Sequence, residues 1–167
     1  DALFLSAECQ FFTDEYPGAR KQYEGLLAKY TNSRYLDTSV QRLFAIAQYW
    51  EGVQAEEPRH IYKPNFSDDT RPRTNATSAA IEVYRKVYLN HPTGPLADDA
   101  ILAIAAASFR DGRWEQADYH YTLLRNEYPT SKHQFDAHLL GLQAKFNRYQ
   151  GPFYDKAALE ECKKLAE

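Results

Sequence analysis

Apolar positions along the chain recur at helical spacing, and one set of spacings appears several times. Counting from Ala117, the residues at +4, +7, +11 and +12 are Tyr121, Leu124, Tyr128 and Pro129. Ala117 and the first three of these positions fall on one stripe of an α-helix. Proline ends a helix because it lacks an amide donor and clashes with the preceding turn. The pattern therefore predicts an amphipathic helix that ends before Pro129.

The same pattern recurs from Ala19 and from Ala80, and a shorter copy begins at Ala158. The helices that begin around Ala19 and Ala117 are each preceded by a further apolar stripe, in which Ala7 and Ala105 occupy equivalent positions. A small residue there allows two paired helices to touch. Paired helices that recur along the chain with this pattern of small and aromatic residues are typical of tetratricopeptide repeats (TPRs). The sequence predicts an all-α fold, a TPR-like superhelical solenoid of about four helical hairpins, with residues 1–167 as a single domain.

Helix boundaries follow from the repeat. The predicted first helices of the hairpins are 1–12, 35–51, 96–111 and 133–149, and the predicted second helices are 17–30, 77–90, 114–127 and 153–166. Glycines are expected at the C′ position after the first helices, where a left-handed backbone ends a helix, at Gly52, Gly112 and Gly151. Ser131 and Gln134 are expected to form a capping box for the last hairpin.

The second repeat contains an insertion of 24 residues, 53–76, between its two helices. This segment has three prolines, mixed charge and no helical stripe. Loops of this length inside a compact domain are usually functional or disordered. We expect the insertion to be mobile in the free chain and to become ordered when a partner binds.

Composition and charge exclude some classes of partner. The net charge is −3 and the pI is about 6.0, and no Lys/Arg-rich run is present, so nucleic acid is not an expected partner. No apolar run is long enough to cross a bilayer, so membrane attachment would require a lipid anchor outside this chain. Cys9 and Cys162 are far apart in the sequence and are expected to be two free thiols that are buried or half-buried.

The sequence does not predict catalytic chemistry. His133 and His138 are five residues apart on a predicted helix and do not share a face, so no metal site is expected. The usual nucleophile, phosphate-loop and zinc-protease motifs are absent from the sequence. Asp98 and Asp99 are expected to favour the start of a helix through its dipole. We therefore expect no cofactor and no enzymatic activity.

The predicted interaction surface is the concave face formed by the first helices, together with the insertion. It mixes apolar and amide side chains and lacks the Lys/Asn pairs of chaperone-binding TPRs, which favours a protein segment held by apolar and backbone contacts. The residues predicted to bind the partner are Phe4, Glu8, Phe11, Gln41, Gln48, Tyr49, Tyr62, Phe66, Asp69, Arg71, Phe109, Arg110 and Gln143.

One stretch resembles a known family. Residues 67–100, SDDTRPRTNATSAAIEVYRKVYLNHPTGPLADDA, combine a charged Asp/Arg/Pro loop, an Ala-rich helix and an acidic-Ala helix start. In this respect the chain resembles the BamD (YfiO) outer-membrane assembly lipoproteins. The resemblance implies a lipid-anchored protein on the periplasmic side of the outer membrane. It also implies a scaffold for β-barrel assembly subunits or unfolded outer-membrane proteins.

Two alternatives remain open from the residues. The repeat is also similar to that of other periplasmic TPR proteins, including the cell-division coordinator that works beside the Tol–Pal system, so a general adaptor binding a peptide segment in its groove is the second hypothesis. An enzyme or an accessory subunit of one is the third.

Overall fold

The computed structural model describes residues 1–56, 65, 68–73, 75–149 and 156–166. The helices within these ranges are α1 (Ala2–Phe12), α2 (Tyr16–Lys29), α3 (Leu36–Glu56), α4 (Ala76–Asn90), α5 (Ala97–Arg110), α6 (Trp114–Glu127), α7 (Gln134–Arg148) and α8 (Lys156–Ala166). The described ranges contain no β-strand. The predicted all-α fold class is therefore confirmed.

The chain divides into two compact units, unit 1 (Asp1–Ala97) and unit 2 (Asp98–Glu167). In unit 1, α1 packs on α2, α2 packs on α3, and α3 packs on α4. Ala7 and Ala19 are completely buried, as expected for small residues that let two helices approach closely. Larger buried side chains then fill the space between the helices, namely Tyr23, Leu27, Leu43, Ile46, Trp50, Val83 and Tyr84.

In unit 2, α6 packs on α7, and α7 packs on α8. Ala105 and Ala117 are completely buried, at the places where unit 1 has Ala7 and Ala19. The other fully buried apolar residues of this unit are Ala100, Ile101, Ile104, Tyr121, Leu124, Ala137 and Ala144. Both units thus have the alternation of small and large core residues that the repeat predicts.

The predicted end of α3 is wrong. The helix continues to Glu56, and Gly52 lies inside it at an exposed position rather than at the C′ position. The helix continues because Gln54, Ala55 and Glu56 are good helix formers and a single exposed glycine costs only about 1 kcal/mol. The first residues of the predicted insertion are consequently helical.

The other two glycine predictions have different outcomes. Gly112 adopts a φ of +71° after α5, which confirms its place beyond the helix end. Asp14 has the same left-handed backbone after α1, with a φ of 61°, so a non-glycine residue makes the equivalent turn there. Gly151 lies outside the described residues.

The predicted capping box at Ser131 is also wrong. Ser131 Oγ accepts a hydrogen bond from the His133 amide at 3.1 Å and donates one to Asp98 Oδ2 at 2.6 Å. Gln134 Nε2 donates instead to the Tyr128 carbonyl at 2.7 Å. The box is not formed because α7 begins at Gln134, with His133 as its N-cap, so Ser131 lies outside the helix.

Within the described residues, none of the helices combines the length and apolar character required to cross a membrane.

Candidate functional site

Four aromatic side chains of unit 1 form a continuous row from the end of α1 across the start of α2 to α3. Phe12 and Phe11 have ring centroids 5.5 Å apart, Phe11 and Tyr16 5.6 Å, and Tyr16 and Tyr49 4.9 Å. The rings meet edge-on or tilted, which aromatic pairs favour over face-to-face stacking. Phe12 is 68% exposed and Tyr49 is 38% exposed, so both ends of this aromatic row are open to solvent.

The α1–α2 turn sets the position of the row. The left-handed backbone at Asp14 reverses the chain, and the Glu15 amide donates to the Gln10 carbonyl at 2.8 Å. The Tyr16 hydroxyl then donates to Asp14 Oδ1 at 2.8 Å. Burial and this hydrogen bond raise the pKa of Tyr16 to about 12, so the residue remains a neutral donor.

Part of the insertion forms a turn, here called the insertion turn (residue 65 and residues 68–73). Asn65 is buried, and its Nδ2 donates to the carbonyls of Asp68 at 2.5 Å and Arg71 at 3.1 Å. The amide and hydroxyl of Thr70 donate to Asp68 Oδ1 at 3.0 and 2.6 Å. Asp68 Oδ2 also pairs with Arg71 Nε at 3.0 Å. These contacts link side chains of the turn to its own backbone.

Two side chains of α3 attach the insertion turn to the hairpin. The Trp50 indole nitrogen donates to the Thr70 carbonyl at 2.8 Å, and the Tyr49 hydroxyl donates to Thr70 Oγ1 at 3.1 Å. Trp50 is almost completely buried in the core of unit 1. The aromatic row therefore ends at the insertion turn, because its last member, Tyr49, donates to Thr70 of that turn.

A cavity of about 410 Å³ lies between the start of α2 and the insertion turn. Its lining is mainly polar and includes carboxylates and guanidinium groups from both sides, contributed by Glu15, Pro17, Gly18, Asn65, Asp68, Asp69, Arg71 and Arg73. Such a cavity offers hydrogen-bonding groups beside an apolar row. This combination suits a polypeptide segment that presents both side chains and backbone.

The structure brings four of the predicted partner-binding residues together at this place. Phe11 and Tyr49 belong to the row, and Asp69 and Arg71 line the cavity. Tyr62 and Phe66, the other two predictions from the insertion, lie outside the described residues.

The remaining predicted residues of unit 1 have other surroundings. Gln41 and Gln48 are exposed on α3. Phe4 stacks on Tyr35, with ring centroids 4.0 Å apart. Glu8 accepts a hydrogen bond from the Tyr23 hydroxyl and pairs with Arg42 at 3.0 Å. Its carboxylate is thus already engaged within the unit.

The electrostatics at Glu8 follow from this arrangement. Burial acts to raise the pKa of Glu8, but the hydrogen bonds from Arg42 and Tyr23 outweigh it and lower the pKa overall. Burial and Glu8 together raise the pKa of Tyr23, so the tyrosine stays protonated as the donor. Glu8 is therefore a charged group with a structural role within unit 1.

The predicted residues of unit 2 have surroundings of their own. Phe109 contacts Trp114 at 4.9 Å across the Gly112 turn, as Phe11 contacts Tyr16 across the Asp14 turn. Arg110 is exposed at the end of α5. Gln143 borders a mostly apolar groove of about 390 Å³ between α7 and α8, lined by Leu142, Gln143, Phe146, Asn147 and Cys162.

Sequence reasoning missed Phe12, Tyr16 and Thr70. Tyr16 could have been found, because it lies five residues after Phe11, as Trp114 does after Phe109. No sequence pattern marks Thr70, because its role depends on which part of the insertion contacts α3. Among the described residues, no group of three or more His, Cys, Asp or Glu side chains could hold a metal ion.

Comparison with known proteins agrees with the repeat. A family model for the tetratricopeptide repeat matches residues 1–33 and 99–131, which correspond to α1–α2 and α5–α6 with their following turns. Comparison with curated proteins found no match. TPR hairpins are interaction modules, and the surfaces described above are suited to protein partners. The chain is thus a TPR-like repeat protein, and its repeats are of the kind that form protein–protein interaction scaffolds.

Proposed function

We propose that the scaffold binds a polypeptide segment of its partner along the aromatic row and in the adjoining cavity of unit 1. The observation that carries this proposal is the pair of hydrogen bonds to Thr70, which place the insertion turn next to the exposed row. Exposed aromatic side chains of this kind supply most of the binding energy in many protein interfaces. The polar cavity next to them would satisfy the backbone groups of an extended segment.

The proposed partner class is the outer-membrane β-barrel assembly machinery, bound as a BamD-like lipoprotein would bind it. Supporting this, the stretch with the resemblance, residues 67–100, contains most of the insertion turn, and Thr70 in it contacts Tyr49 of the row. In this proposal the full-length protein is lipid-anchored on the periplasmic side of the outer membrane. Its partners are barrel-assembly subunits or unfolded outer-membrane proteins, and the chain itself performs no catalysis.

A direct test combines binding with two variants of the row. The periplasmic domains of the central barrel subunit from the same organism would be titrated with the wild-type chain, with Phe12→Ala and with Tyr49→Ala. We expect each variant to bind about tenfold more weakly, the loss typical of an exposed aromatic anchor. Tyr119→Ala is the matched control, because Tyr119 is 61% exposed on α6 and lies outside the row.

Two results would count against parts of this proposal. Equal binding by all four proteins would exclude the row as the docking surface. If the barrel subunit and unfolded outer-membrane proteins both fail to bind, the assembly-machine assignment fails. A deletion strain with normal outer-membrane barrels but a division defect would then favour the general periplasmic adaptor.

A further inference from the structure

Helix α7 carries a second apolar stripe besides the side that it buries. Its buried side consists of Ala137, Gly141, Ala144 and Lys145. The second stripe, here called the α7 stripe, has spacings of four, three and four residues and consists of Phe135, Leu139, Leu142 and Phe146. This is the heptad spacing along which two helices pack against each other. Phe135 is 74% exposed, Phe146 70% and Leu139 45%, so most of the stripe is open to solvent.

Unit 1 has mostly polar side chains at the equivalent positions. Helices α3 and α7 begin 98 residues apart, at Leu36 and Gln134, as do the two stretches matched by the repeat model. At this offset the α7 stripe corresponds to Asp37, Gln41, Phe44 and Gln48. Asp37 pairs with His91 at 3.0 Å, and the two glutamines are exposed. The hairpin therefore folds without apolar side chains at these exposed positions, and the α7 stripe requires another explanation.

The groove between α7 and α8 lies beside this stripe. In unit 1, Phe44 of α3 contacts Tyr84 of α4, with ring centroids 5.3 Å apart. Leu142 is equivalent to Phe44, and Cys162 lies four residues after the repeat alanine of its helix, as Tyr84 does. Both Leu142 and Cys162 line the groove of about 390 Å³. Because they are smaller than the two rings, unit 2 leaves open a space of the kind that aromatic rings fill in unit 1.

The α7 stripe reads the same in both directions, because its spacings are symmetric and a phenylalanine stands at each end. Two copies of α7 that pack antiparallel therefore place Phe135 of one copy beside Phe146 of the other. Leu139 and Leu142 face each other in the same way. Phe146 also lines the groove, so the Phe135 ring of one copy reaches the groove of the other. A two-fold axis makes this contact twice, as in most homodimers.

We propose that the α7 stripe is the docking surface for a second copy of this chain, with the two α7 helices antiparallel and each Phe135 ring in the groove of the other copy. The four phenylalanine rings, 74% or 70% exposed in the single chain, would together remove roughly 600 Å² from solvent if each buried ring covers about 200 Å². The leucines raise the total to about 800–1,000 Å², the size of a weak and transient interface.

Sedimentation equilibrium of the whole chain, from low micromolar to near-millimolar concentration, tests the dimer. The apparent mass should rise from 19.3 kDa toward twice that value. Phe135→Asp and Leu139→Gln introduce the residues that unit 1 has at the equivalent positions, and each should weaken association at least about tenfold. Leu89→Gln is the matched control, because Leu89 is 60% exposed on α4 and lies outside the stripe. Circular dichroism checks that every variant is folded.

A pair of charged variants tests the antiparallel arrangement. Phe135→Lys and Phe146→Glu should each remain monomeric alone, because every contact between Phe135 and Phe146 would then carry one unpaired charge. An equal mixture should form a heterodimer, since one contact pairs the lysine with the glutamate and the other keeps both phenylalanines. Parallel helices would show no such recovery, because each introduced charge would face a phenylalanine.

The proposal is overturned if the wild type keeps a mass of 19.3 kDa over the whole concentration range, in which case the α7 stripe belongs to a different partner. It is also overturned if Phe135→Asp and Leu139→Gln associate as the wild type does. Failure of the mixed charge variants to associate would overturn the antiparallel arrangement. None of these results bears on the aromatic row, whose residues all belong to unit 1.

Discussion

The hairpin of α1 and α2 and the hairpin of α5 and α6 share the geometry of their turns. They differ in the side chains that each hairpin packs against the helix that follows it. In both hairpins a left-handed residue makes the turn, Asp14 or Gly112, and an aromatic pair closes it. The differences appear where the second helix of each hairpin meets the following helix, α3 in unit 1 and α7 in unit 2.

One difference concerns a pair of buried leucines. Leu27 and Leu43 are buried in unit 1, whereas the equivalent residues of unit 2 are Arg125 and Gly141. The Arg125 guanidinium lies over Gly141, where any Cβ would overlap with it, and Nη1 donates to the Ala137 carbonyl at 2.7 Å. Burial lowers the pKa of Arg125 from its usual value. A cation thus replaces a leucine because a glycine opposite provides the space.

The second difference concerns a tryptophan. Trp50 fills the core of unit 1, and the Arg20 guanidinium lies 5.9 Å from its ring centroid. The equivalent positions of unit 2 are Arg148 and Asp118. Asp118 accepts from Lys145 at 3.0 Å, and Lys145 also reaches Glu161 of α8 at 2.8 Å. Unit 1 therefore relies on apolar burial at this interface, while unit 2 relies on an ion cluster that also attaches α8.

The largest expected effect is that of Trp50→Ala. The change removes a buried indole and the hydrogen bond to Thr70, and we expect a loss of about 4 kcal/mol in the free energy of unfolding. Arg148→Ala, at the equivalent position of unit 2, should cost about 1 kcal/mol because this side chain is partly exposed. Urea denaturation measures both. Equal losses would show that the two interfaces do not differ as described.

Lys145→Ala is expected to cost about 3 kcal/mol, because it leaves the carboxylate of Asp118, only 8% exposed, without its closest cation. Lys164→Ala is the control on the exposed side of α8 and should change stability by less than about 0.5 kcal/mol. The double variant Asp118→Ala, Lys145→Ala should recover part of the loss. If the double variant is less stable than Lys145→Ala, burial of an unpaired charge is not the cause.

The two buried tyrosines sharpen the comparison at a smaller scale. Tyr23→Phe removes a donor to the Glu8 carboxylate and should lower the free energy of unfolding by about 2 kcal/mol. Tyr121→Phe removes a hydroxyl that has no partner in the described structure, so stability should be unchanged or slightly increased. Thermal denaturation of the two variants in the same buffer measures the difference. Similar losses would mean that Tyr121 has an acceptor in solution.

The smallest expected effect is a pH dependence at Asp99. Burial acts to raise the pKa of Asp99, but hydrogen bonds from His133 and Lys132 lower it below the usual 3.8. A lowered pKa in the folded state stabilises the chain above the unfolded pKa, and this contribution is lost as the pH falls through the folded value. Wild type should exceed Asp99→Asn by less than about 1 kcal/mol at pH 6. The difference should disappear below about pH 3.

The equivalent site of unit 1 supplies a control for this last prediction. Asp1 pairs with Arg34 at 2.9 Å and accepts from the Tyr35 hydroxyl at 3.0 Å, at positions equivalent to Lys132 and His133. Because both charged side chains are well exposed, Asp1→Asn should change stability less than Asp99→Asn does. A larger effect at Asp1 would contradict this ranking.

The sequence predicted the hairpins because Ala at one position and Tyr four residues later recur on one helical stripe, where both are buried against a neighbouring helix. It did not predict the Asp118–Lys145–Glu161 cluster, since these residues belong to three helices and each alone looks like a solvated charge. The position of the insertion turn could not be predicted from the sequence either, because Trp50 binds the Thr70 carbonyl, which is a backbone group. The structure brings Phe11, Tyr49, Asp69 and Arg71 together. Their predicted role in partner binding, the single-domain prediction and the predicted mobility of the insertion remain predictions.

The hydrogen bond between Trp50 and Thr70 gives unit 1 its own optical reporter. The chain has only two tryptophans, Trp50 in unit 1 and Trp114 in unit 2. Trp50 senses the insertion turn through its indole nitrogen, whereas Trp114 lies against Phe109 at the Gly112 turn. A ligand that displaces the insertion turn would change the emission of one indole and leave the other as a reference within the same molecule. Replacing either tryptophan by phenylalanine would assign each signal to its unit.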